Sequence, residues 1–214
     1  MTLKTVIFDL DGTIANTLPL CIAAFRKSIE PLLKQELSDE EIVASFGPSE
    51  EGTIRKLVPQ NEEAGIKSYL KHYRELHYTC PIPFDGIADL LDFLTDKGIQ
   101  LAMVTGKGPH STVISLQQFG LTKYFNVMET GSPEGSVKVA GIKKVLERLG
   151  ANAGESLYVG DAPSDINYCK TVGIPIAAAA WAETTDAAEL LPLKPEYIFY
   201  TVNEFKVWLS ETIG

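Results

Sequence analysis

The sequence predicts an α/β protein with a doubly wound parallel sheet and an all-helical segment inserted near its N-terminus. Short apolar, β-prone runs alternate with helical patterns over most of the chain, which is typical of a parallel sheet covered by helices on both faces. Between Thr17 and Tyr78, by contrast, every convincing pattern is helical. We therefore expect a catalytic core of residues 1–16 and 80–214 and a helical cap of residues 17–79.

Six apolar runs have the length and flanking residues of buried strands. They are Thr5–Leu10, Gln100–Val104, Phe125–Met128, Ser156–Val159, Ile174–Ala178 and Tyr197–Tyr200. Helical patterns between or after them cover Ile87–Lys97, His110–Phe119, Val139–Leu149, Ser164–Thr171 and Asn203–Glu211. Binding sites in such sheets lie beyond the carboxyl ends of the strands. The residues that follow each run are therefore the candidates for function.

The inserted segment contains four helical patterns. They cover Pro19–Leu33, Ser38–Phe46, Glu50–Leu57 and Glu62–His77. The second opens with Ser38-Asp39-Glu40-Glu41, a helix-capping signature, and the segment ends at a proline-rich stretch that cannot continue a helix. We interpret the segment as a cap over the strand ends. The alternative is that its helices pack on the sheet as part of one domain.

Composition and charge exclude several classes of function. The chain has 214 residues, of which 45% are hydrophobic and 22% charged, as in an ordinary globular protein. No apolar run approaches the ~20 residues that span a bilayer, and the three cysteines show no metal-type pairing. A net charge of -9 disfavours nucleic acid and acidic membranes as partners. We expect a cytoplasmic protein, monomeric or homodimeric, that acts on a small molecule.

The first apolar run ends in two aspartates, Asp9 and Asp11, and Gly12 comes directly after them. Residues i and i+2 of an extended chain point the same way, so the two carboxylates can share one small space. Close anions repel, which favours a cation, a proton, or a reaction that uses one carboxylate as nucleophile and the other as acid. An ordinary turn is the alternative. A calcium loop fits less well, because the glycine comes too early for EF-hand spacing.

Polar residues also follow the second predicted strand, in Thr105-Gly106-Lys107. A hydroxyl at a strand end, followed by backbone N–H groups at a helix start, suits an oxyanion such as phosphate. The same pair of residues, Thr and Gly, is also common in simple turns. This stretch alone therefore supports a phosphate site only weakly.

Asp161 follows a third apolar run, and Asp165 lies in the first turn of the next helical pattern. Asp165 can be a charge favoured by the helix dipole. Asp161, together with Asp9 and Asp11, predicts an oxygen-rich site suited to Mg²⁺, which prefers carboxylates, carbonyls and retained waters. Acidic residues at several strand ends of one sheet are a stronger signal than any one of them.

The order and spacing of these motifs resemble the haloacid dehalogenase superfamily of hydrolases, and the resemblance covers essentially the whole chain. The motifs are Phe8-Asp9-Leu10-Asp11-Gly12-Thr13, then Thr105, then Gly160-Asp161 with Asp165. The helical insertion directly after the first motif is similar to the subgroup with a helical cap, which includes phosphoglycolate phosphatases and β-phosphoglucomutases. The resemblance implies a Rossmann-like core, Mg²⁺ as cofactor and a small phosphorylated metabolite as partner.

The resemblance also implies a role for each matching residue. Asp9 is expected to attack phosphorus and form an aspartyl-phosphate, while Asp11 protonates the leaving alcohol and then activates water. Thr105 and the N–H of Gly106 are expected to bind the phosphate. Mg²⁺ is expected to contact Asp9, the backbone carbonyl of Asp11 and Asp161, with Asp165 as a direct or outer ligand.

The chain departs from the family where a lysine is usually found in a Lys-Pro-x-Pro segment. Counted back from Asp161 without gaps, that position falls on Ser136, and Lys138 lies two residues later. We expect Lys138 to enter the site through a local change in loop length and to stabilise the nucleophile and the phosphoryl charge. The alternative is that Lys138 is a solvated residue of the first helical turn and that Lys107 substitutes for it.

The second aspartate, Asp11, narrows the expected chemistry to phosphate esters or phosphate transfer, because the dehalogenases of this superfamily lack it. We expect a phosphatase of small phosphomonoesters similar to phosphoglycolate. Phosphomutase, pyrophosphatase and a low-turnover phosphate- or metal-binding regulatory module remain alternatives. The loop Phe46-Gly47-Pro48-Ser49-Glu50-Glu51 matches the position of the family's substrate-specificity loop, although Gly47-Pro48 can also be a simple helix break. Arg55 and Lys56 can meet an anionic substrate tail or be solvated.

Overall fold

The structure, a computed structural model, describes residues 2–213 of the chain. Within these residues six strands form one parallel sheet. They are β1 (Thr5–Phe8), β2 (Gln100–Val104), β3 (Val127–Glu129), β4 (Ser156–Gly160), β5 (Ile176–Ala179) and β6 (Tyr197–Phe199). The strand order is β3-β2-β1-β4-β5-β6. This order confirms the predicted doubly wound sheet, and it reverses direction between β1 and β4, where ligands bind in such sheets.

Ten α-helices lie in the same described part of the chain. They are α1 (Leu18–Leu33), α2 (Asp39–Ala44), α3 (Glu50–Leu57), α4 (Glu62–Leu76), α5 (Ile87–Asp96), α6 (Pro109–Gln118), α7 (Lys138–Leu149), α8 (Pro163–Val172), α9 (Ala187–Leu190) and α10 (Val202–Ile213). The predicted capping signature is confirmed at α2, where Ser38 and Glu41 exchange the two hydrogen bonds of a capping box. Within residues 2–213, no helix combines the length and the apolar character needed to cross a membrane.

The sheet is buried on both faces, which is why its strands are nearly continuous apolar runs. Successive residues of β1 point to opposite faces. Val6 and Phe8 pack in a hydrophobic core with residues of α5 and α10, whereas Ile7 packs in a second core with residues of α7 and α8. These two layers fix the strand ends relative to the helix starts, and therefore position the residues that follow each strand.

The inserted helices have a hydrophobic core of their own. Residues of α1, α3 and α4 pack together, and the rings of Phe25 and Tyr69 lie 4.7 Å apart between centroids. Ile114 of α6 joins this core, so the helical segment also packs on the sheet domain. Its two connections to the sheet run side by side, because the N–H of Phe84 donates to the carbonyl of Ile14 at 2.9 Å. A separate core favours the predicted cap, and the boundaries at residues 16/17 and 79/80 remain predictions.

Several elements differ in their bounds from the sequence prediction, and three of the differences have a local physical reason. Strand β5 begins at Ile176 rather than Ile174, because Pro175 has no N–H to donate to the ladder. Strand β3 begins at Val127, since Phe125 closes a short 3₁₀ turn instead. The four-residue helix α9 was not predicted; its start is capped by the side chain of Asp186, which accepts from the N–H of Ala188.

Candidate active site

Asp9 lies directly beyond β1, and its backbone still belongs to the sheet, because its N–H donates to the carbonyl of Val159 at 2.9 Å. The residue is 5% exposed. Its Oδ1 accepts from the N–H of Leu10 at 2.7 Å, and its Oδ2 accepts from Nζ of Lys138 at 2.5 Å. Both oxygens are therefore held in fixed directions at the mouth of the sheet.

Lys138 is the first residue of α7 and is buried beside Asp9. Its ammonium also donates to Oδ1 of Asp165 at 2.6 Å. Burial lowers the pKa of Lys138, but Asp165 and Asp9 outweigh it and raise that pKa well above its usual value. Burial raises the pKa of Asp9 to about 6, against the opposing effect of Lys138. Lys138 therefore stays protonated beside Asp9, and burial destabilises the ionised form of Asp9.

Asp161 follows β4, and its carboxylate lies under the turn at Gly12. Its Oδ1 accepts from the hydroxyl of Thr13 at 3.1 Å and its Oδ2 accepts from Thr185 at 3.2 Å. Gly12 has a φ of 75°, and a Cβ there would lie 2.1 Å from a carboxylate oxygen of Asp161. Only glycine combines this left-handed conformation with this close approach. The two threonines were not predicted, although Thr13 belongs to the first motif.

The carboxylates of Asp9, Asp161 and Asp165 approach one another closely, with one oxygen of each within 4.8 Å of the others. Burial, together with the neighbouring carboxylates of Asp9 and Asp165, raises the pKa of Asp161 to about 8. Among the described residues that touch this cluster, Lys138 supplies one positive charge, whereas the cluster contains three carboxylates. Hard, anionic oxygen ligands in this arrangement fit a divalent cation such as Mg²⁺. The side chain of Asp11 is not part of the cluster.

Asp165 is the most deeply buried of the three acids, at 0% exposed, and both of its oxygens have partners. One accepts from Lys138, and the other accepts from the N–H of Ala162 at 3.3 Å at the start of α8. The hydroxyl of Tyr158 lies 3.5 Å away. The geometry therefore fits Asp165 as the residue that orients Lys138 better than as a direct metal ligand.

Asp11 lies beside the second buried lysine. Its Oδ1 is 3.1 Å from Nζ of Lys107 and also accepts from the hydroxyl of Thr17. The Lys107 ammonium contacts Oε1 of Glu50 at 3.4 Å and lies 4.6 Å from the centroid of the Tyr73 ring. Burial lowers the pKa of Lys107, but these acidic neighbours raise it well above its usual value. Lys107 thus pairs with Asp11 and the cap, whereas Lys138 pairs with Asp9.

A cavity of about 350 Å³ lies between the strand ends and the inserted helices. The predicted residues Asp9, Asp11, Thr105, Gly106, Lys138 and Asp161 line its floor. The inserted segment supplies the opposite wall, with Phe46, Gly47, Pro48, Glu50 and Thr53. The volume of the cavity is at the small end of the roughly 300–1,000 Å³ typical of ligand pockets.

The structure thus brings together nearly every residue that the sequence singled out. Thr105 is buried beyond β2, and its hydroxyl accepts from the N–H of Lys107 at 3.2 Å. Arg55 does not reach the cavity: it pairs with Glu62 at 2.9 Å and with Glu134 at 3.0 Å on the exterior. Glu50 was predicted only as a member of the candidate loop and not as a site residue, because an acidic residue in a first helical turn ordinarily indicates only a favourable dipole interaction.

Comparison with known proteins gives a consistent result. A family model described as haloacid dehalogenase-like hydrolase matches residues 6–179. A pyrophosphatase PpaX from Halalkalibacterium halodurans is 30% identical and aligns over 85% of this chain and 86% of its own. A second pyrophosphatase PpaX, from Bacillus pumilus, is 29% identical and aligns over 95% of this chain and 94% of its own. A haloacid dehalogenase-like hydrolase from Streptococcus pneumoniae has a similar structure, with a TM-score of 0.78, 22% identity and coverage of 97% and 99%.

Proposed function

The chain belongs to the haloacid dehalogenase-like hydrolase family, and we propose that it is a Mg²⁺-dependent phosphatase of small phosphorylated substrates that acts through an aspartyl-phosphate. The observation that carries this proposal is the placement of Asp9. A buried carboxylate with one oxygen on Lys138 and its pKa raised to about 6 lies on the floor of a small cavity, beside a second aspartate. Such a group has the fixed direction and the limited solvation that a nucleophile needs.

In the proposed reaction an oxygen of Asp9 bonds to phosphorus while the bond from phosphorus to the leaving oxygen breaks. Asp11, which is about a third exposed toward the cavity, donates its proton to that leaving oxygen. In the second half, water attacks phosphorus, Asp11 takes a proton from it, and the bond to Asp9 breaks to release phosphate. One residue thus serves as acid and then as base.

The remaining residues would position the phosphoryl group and offset its negative charge. Thr105 and the N–H of Gly106 would bind phosphoryl oxygens at the end of β2. Lys138 would offset the charge that the phosphoryl group adds next to Asp9. Asp9 and Asp161, with the backbone carbonyl of Asp11, would hold Mg²⁺, which when bound would screen the nucleophile from the anionic substrate and stabilise charge during transfer.

Two substrate classes are candidates for this site. Phosphomonoesters are the first, because Asp11 is placed to protonate a leaving alcohol. Pyrophosphate is the second, and the names of the two relatives at about 30% identity favour it. A phosphomutase would use the same floor residues and would release no net phosphate. A low-turnover binding module would not need both Asp9 and Asp11 beside a walled cavity.

The test is release of inorganic phosphate from a panel of esters and pyrophosphate, with Mg²⁺ or with EDTA. The panel is repeated with Asp9→Asn and with Asp89→Asn, a matched change on the exposed face of α5. We expect release that needs Mg²⁺, disappears in Asp9→Asn and is unchanged in Asp89→Asn. Folded Asp9→Asn protein with undiminished release would refute the proposed mechanism.

A further inference from the structure

We propose that this site selects phosphate esters whose leaving group carries no negative charge, and that Glu50 of the cap is the residue that imposes this selection. The inference rests on the proposed phosphatase function, which it narrows. Alcohols and sugars are uncharged leaving groups of this kind. The leaving groups of phosphoglycolate and pyrophosphate, by contrast, each carry a negative charge of their own.

The position of the leaving group follows from Asp11. A proton donor must lie within hydrogen-bond reach of the oxygen that it protonates. The leaving group therefore occupies the part of the cavity between Asp11 and the inserted helices. Apolar side chains form much of this part, including Leu18, Phe46 and Pro48. They can contact the carbon atoms of an alcohol but offer nothing to a second anion.

Lys107 is the cation nearest to this part of the cavity, but it is not available to a substrate. Its side chain is 1% exposed. Its ammonium donates to Oδ2 of Asp11 at 3.5 Å and to Sγ of Cys21 at 3.1 Å, and it forms ion pairs with Oδ1 of Asp11 at 3.1 Å and Oε1 of Glu50 at 3.4 Å. A substrate carboxylate or phosphate would have to displace one of these partners to bind the lysine.

The side chain of Glu50 is surrounded by hydrogen-bond donors. Its oxygens accept from the hydroxyl of Ser111 at 2.6 Å, from the hydroxyl of Tyr69 at 3.3 Å and from the N–H of Gly108, besides pairing with Lys107. The side chain remains 10% exposed and lines the cavity.

The charges on this side of the cavity therefore do not favour an anion. Glu50 neutralises Lys107 when Asp11 is protonated, and one net negative charge remains when Asp11 is ionised. Cys21 stays a neutral thiol, because burial raises its pKa to about 12. Arg55 is paired outside the cavity. Among the described residues that line the cavity, the other cation is Lys138, which is engaged by Asp9 on the phosphoryl side.

The test compares 2-hydroxyethyl phosphate with 2-phosphoglycolate, two esters of similar size whose leaving groups differ by one carboxylate. Pyrophosphate is measured alongside. For the wild-type protein with Mg²⁺ we expect kcat/KM to be at least about tenfold higher for the uncharged member, the scale of a like-charge contact in a binding site. Equal or higher kcat/KM for phosphoglycolate or pyrophosphate would overturn the inference while leaving the phosphatase proposal intact.

The role of Glu50 is tested with Glu50→Gln, which removes the charge and keeps the size of the side chain. The matched control is Glu63→Gln, the same change at an exposed position of α4. We expect Glu50→Gln to shrink the preference for hydroxyethyl phosphate by about tenfold and Glu63→Gln to leave it unchanged. An unchanged preference in folded Glu50→Gln would overturn the role of Glu50. Absence of metal-dependent release from every substrate would instead refute the proposed phosphatase.

Discussion

The buried ammonium of Lys138 can be removed without a large change in volume by Lys138→Met. The substitution leaves Asp9 and Asp165 as two buried carboxylates without the cation that now lies 2.5 Å from one and 2.6 Å from the other. Burial already raises the pKa of Asp9 to about 6 against the opposing effect of Lys138. Without the lysine, at least one of the two acids must take up a proton for the protein to fold.

Breaking a buried ion pair by removing one partner costs about 3–5 kcal/mol. The free energy of unfolding should therefore fall by about that amount at pH 7. In a chain of 214 residues, roughly 2–4 °C of Tm corresponds to each kcal/mol, so Tm should fall by about 6–20 °C. Turnover should also fall at least about 100-fold, since a group that stabilises developing charge is lost.

The assay is urea unfolding in EDTA, so that metal binding does not contribute, together with phosphate release in Mg²⁺. Lys144→Met is the matched control, because Lys144 lies on the same helix, is 63% exposed and pairs with Glu129 at the surface. Its unfolding free energy should change by less than about 1 kcal/mol. If Lys138→Met were as stable as Lys144→Met, the idea that Lys138 neutralises the buried acids would be wrong.

Three further predictions concern Mg²⁺ binding, the turn at Gly12, and His77 in the helical cap. Saturating Mg²⁺ should raise Tm by about 5–10 °C at 100 times its Kd, as followed by differential scanning fluorimetry, and Asp161→Asn should abolish the shift. Gly12→Ala should lower unfolding free energy by about 1–3 kcal/mol in urea, because its Cβ would overlap Asp161 at positive φ; wild-type stability would contradict the close approach. Burial lowers the pKa of His77, so its contribution to stability is present above about pH 6.5 and is lost as the pH falls through the lower folded-state pKa. Urea unfolding from pH 7.5 to 5 should therefore show a loss that His77→Gln lacks, and parallel curves would exclude this role.

Much of the fold could be predicted because the signals are local. The central strands β1, β4 and β5 are buried on both faces and therefore appear as short apolar runs, and helical periodicity follows the runs. The first residues of β3 and β5 were harder to predict from the sequence. A 3₁₀ turn before β3 and a proline before β5 decide which N–H groups can join the sheet. Helix α9 has four residues, too few to show a period.

The candidate site could be predicted as far as its residues follow strand ends. Asp9, Asp11 and Asp161 were identified because parallel strands bring their carboxyl ends to one edge of the sheet. The contact of Glu50 with Lys107 could not be found in this way. The two residues lie on different elements, and only the packing of the inserted helices against α6 brings them within 3.4 Å.

The covalent intermediate on Asp9 is the central claim, and acid quenching during turnover tests it most directly. Wild-type protein mixed with Mg²⁺ and its best substrate is quenched in the steady state, digested and analysed by mass spectrometry. We predict one added phosphoryl group on Asp9, and none when Asp9→Asn is treated in the same way. Rapid turnover with the phosphoryl group on another residue, or with Asp9→Asn as active as wild type, would contradict the account.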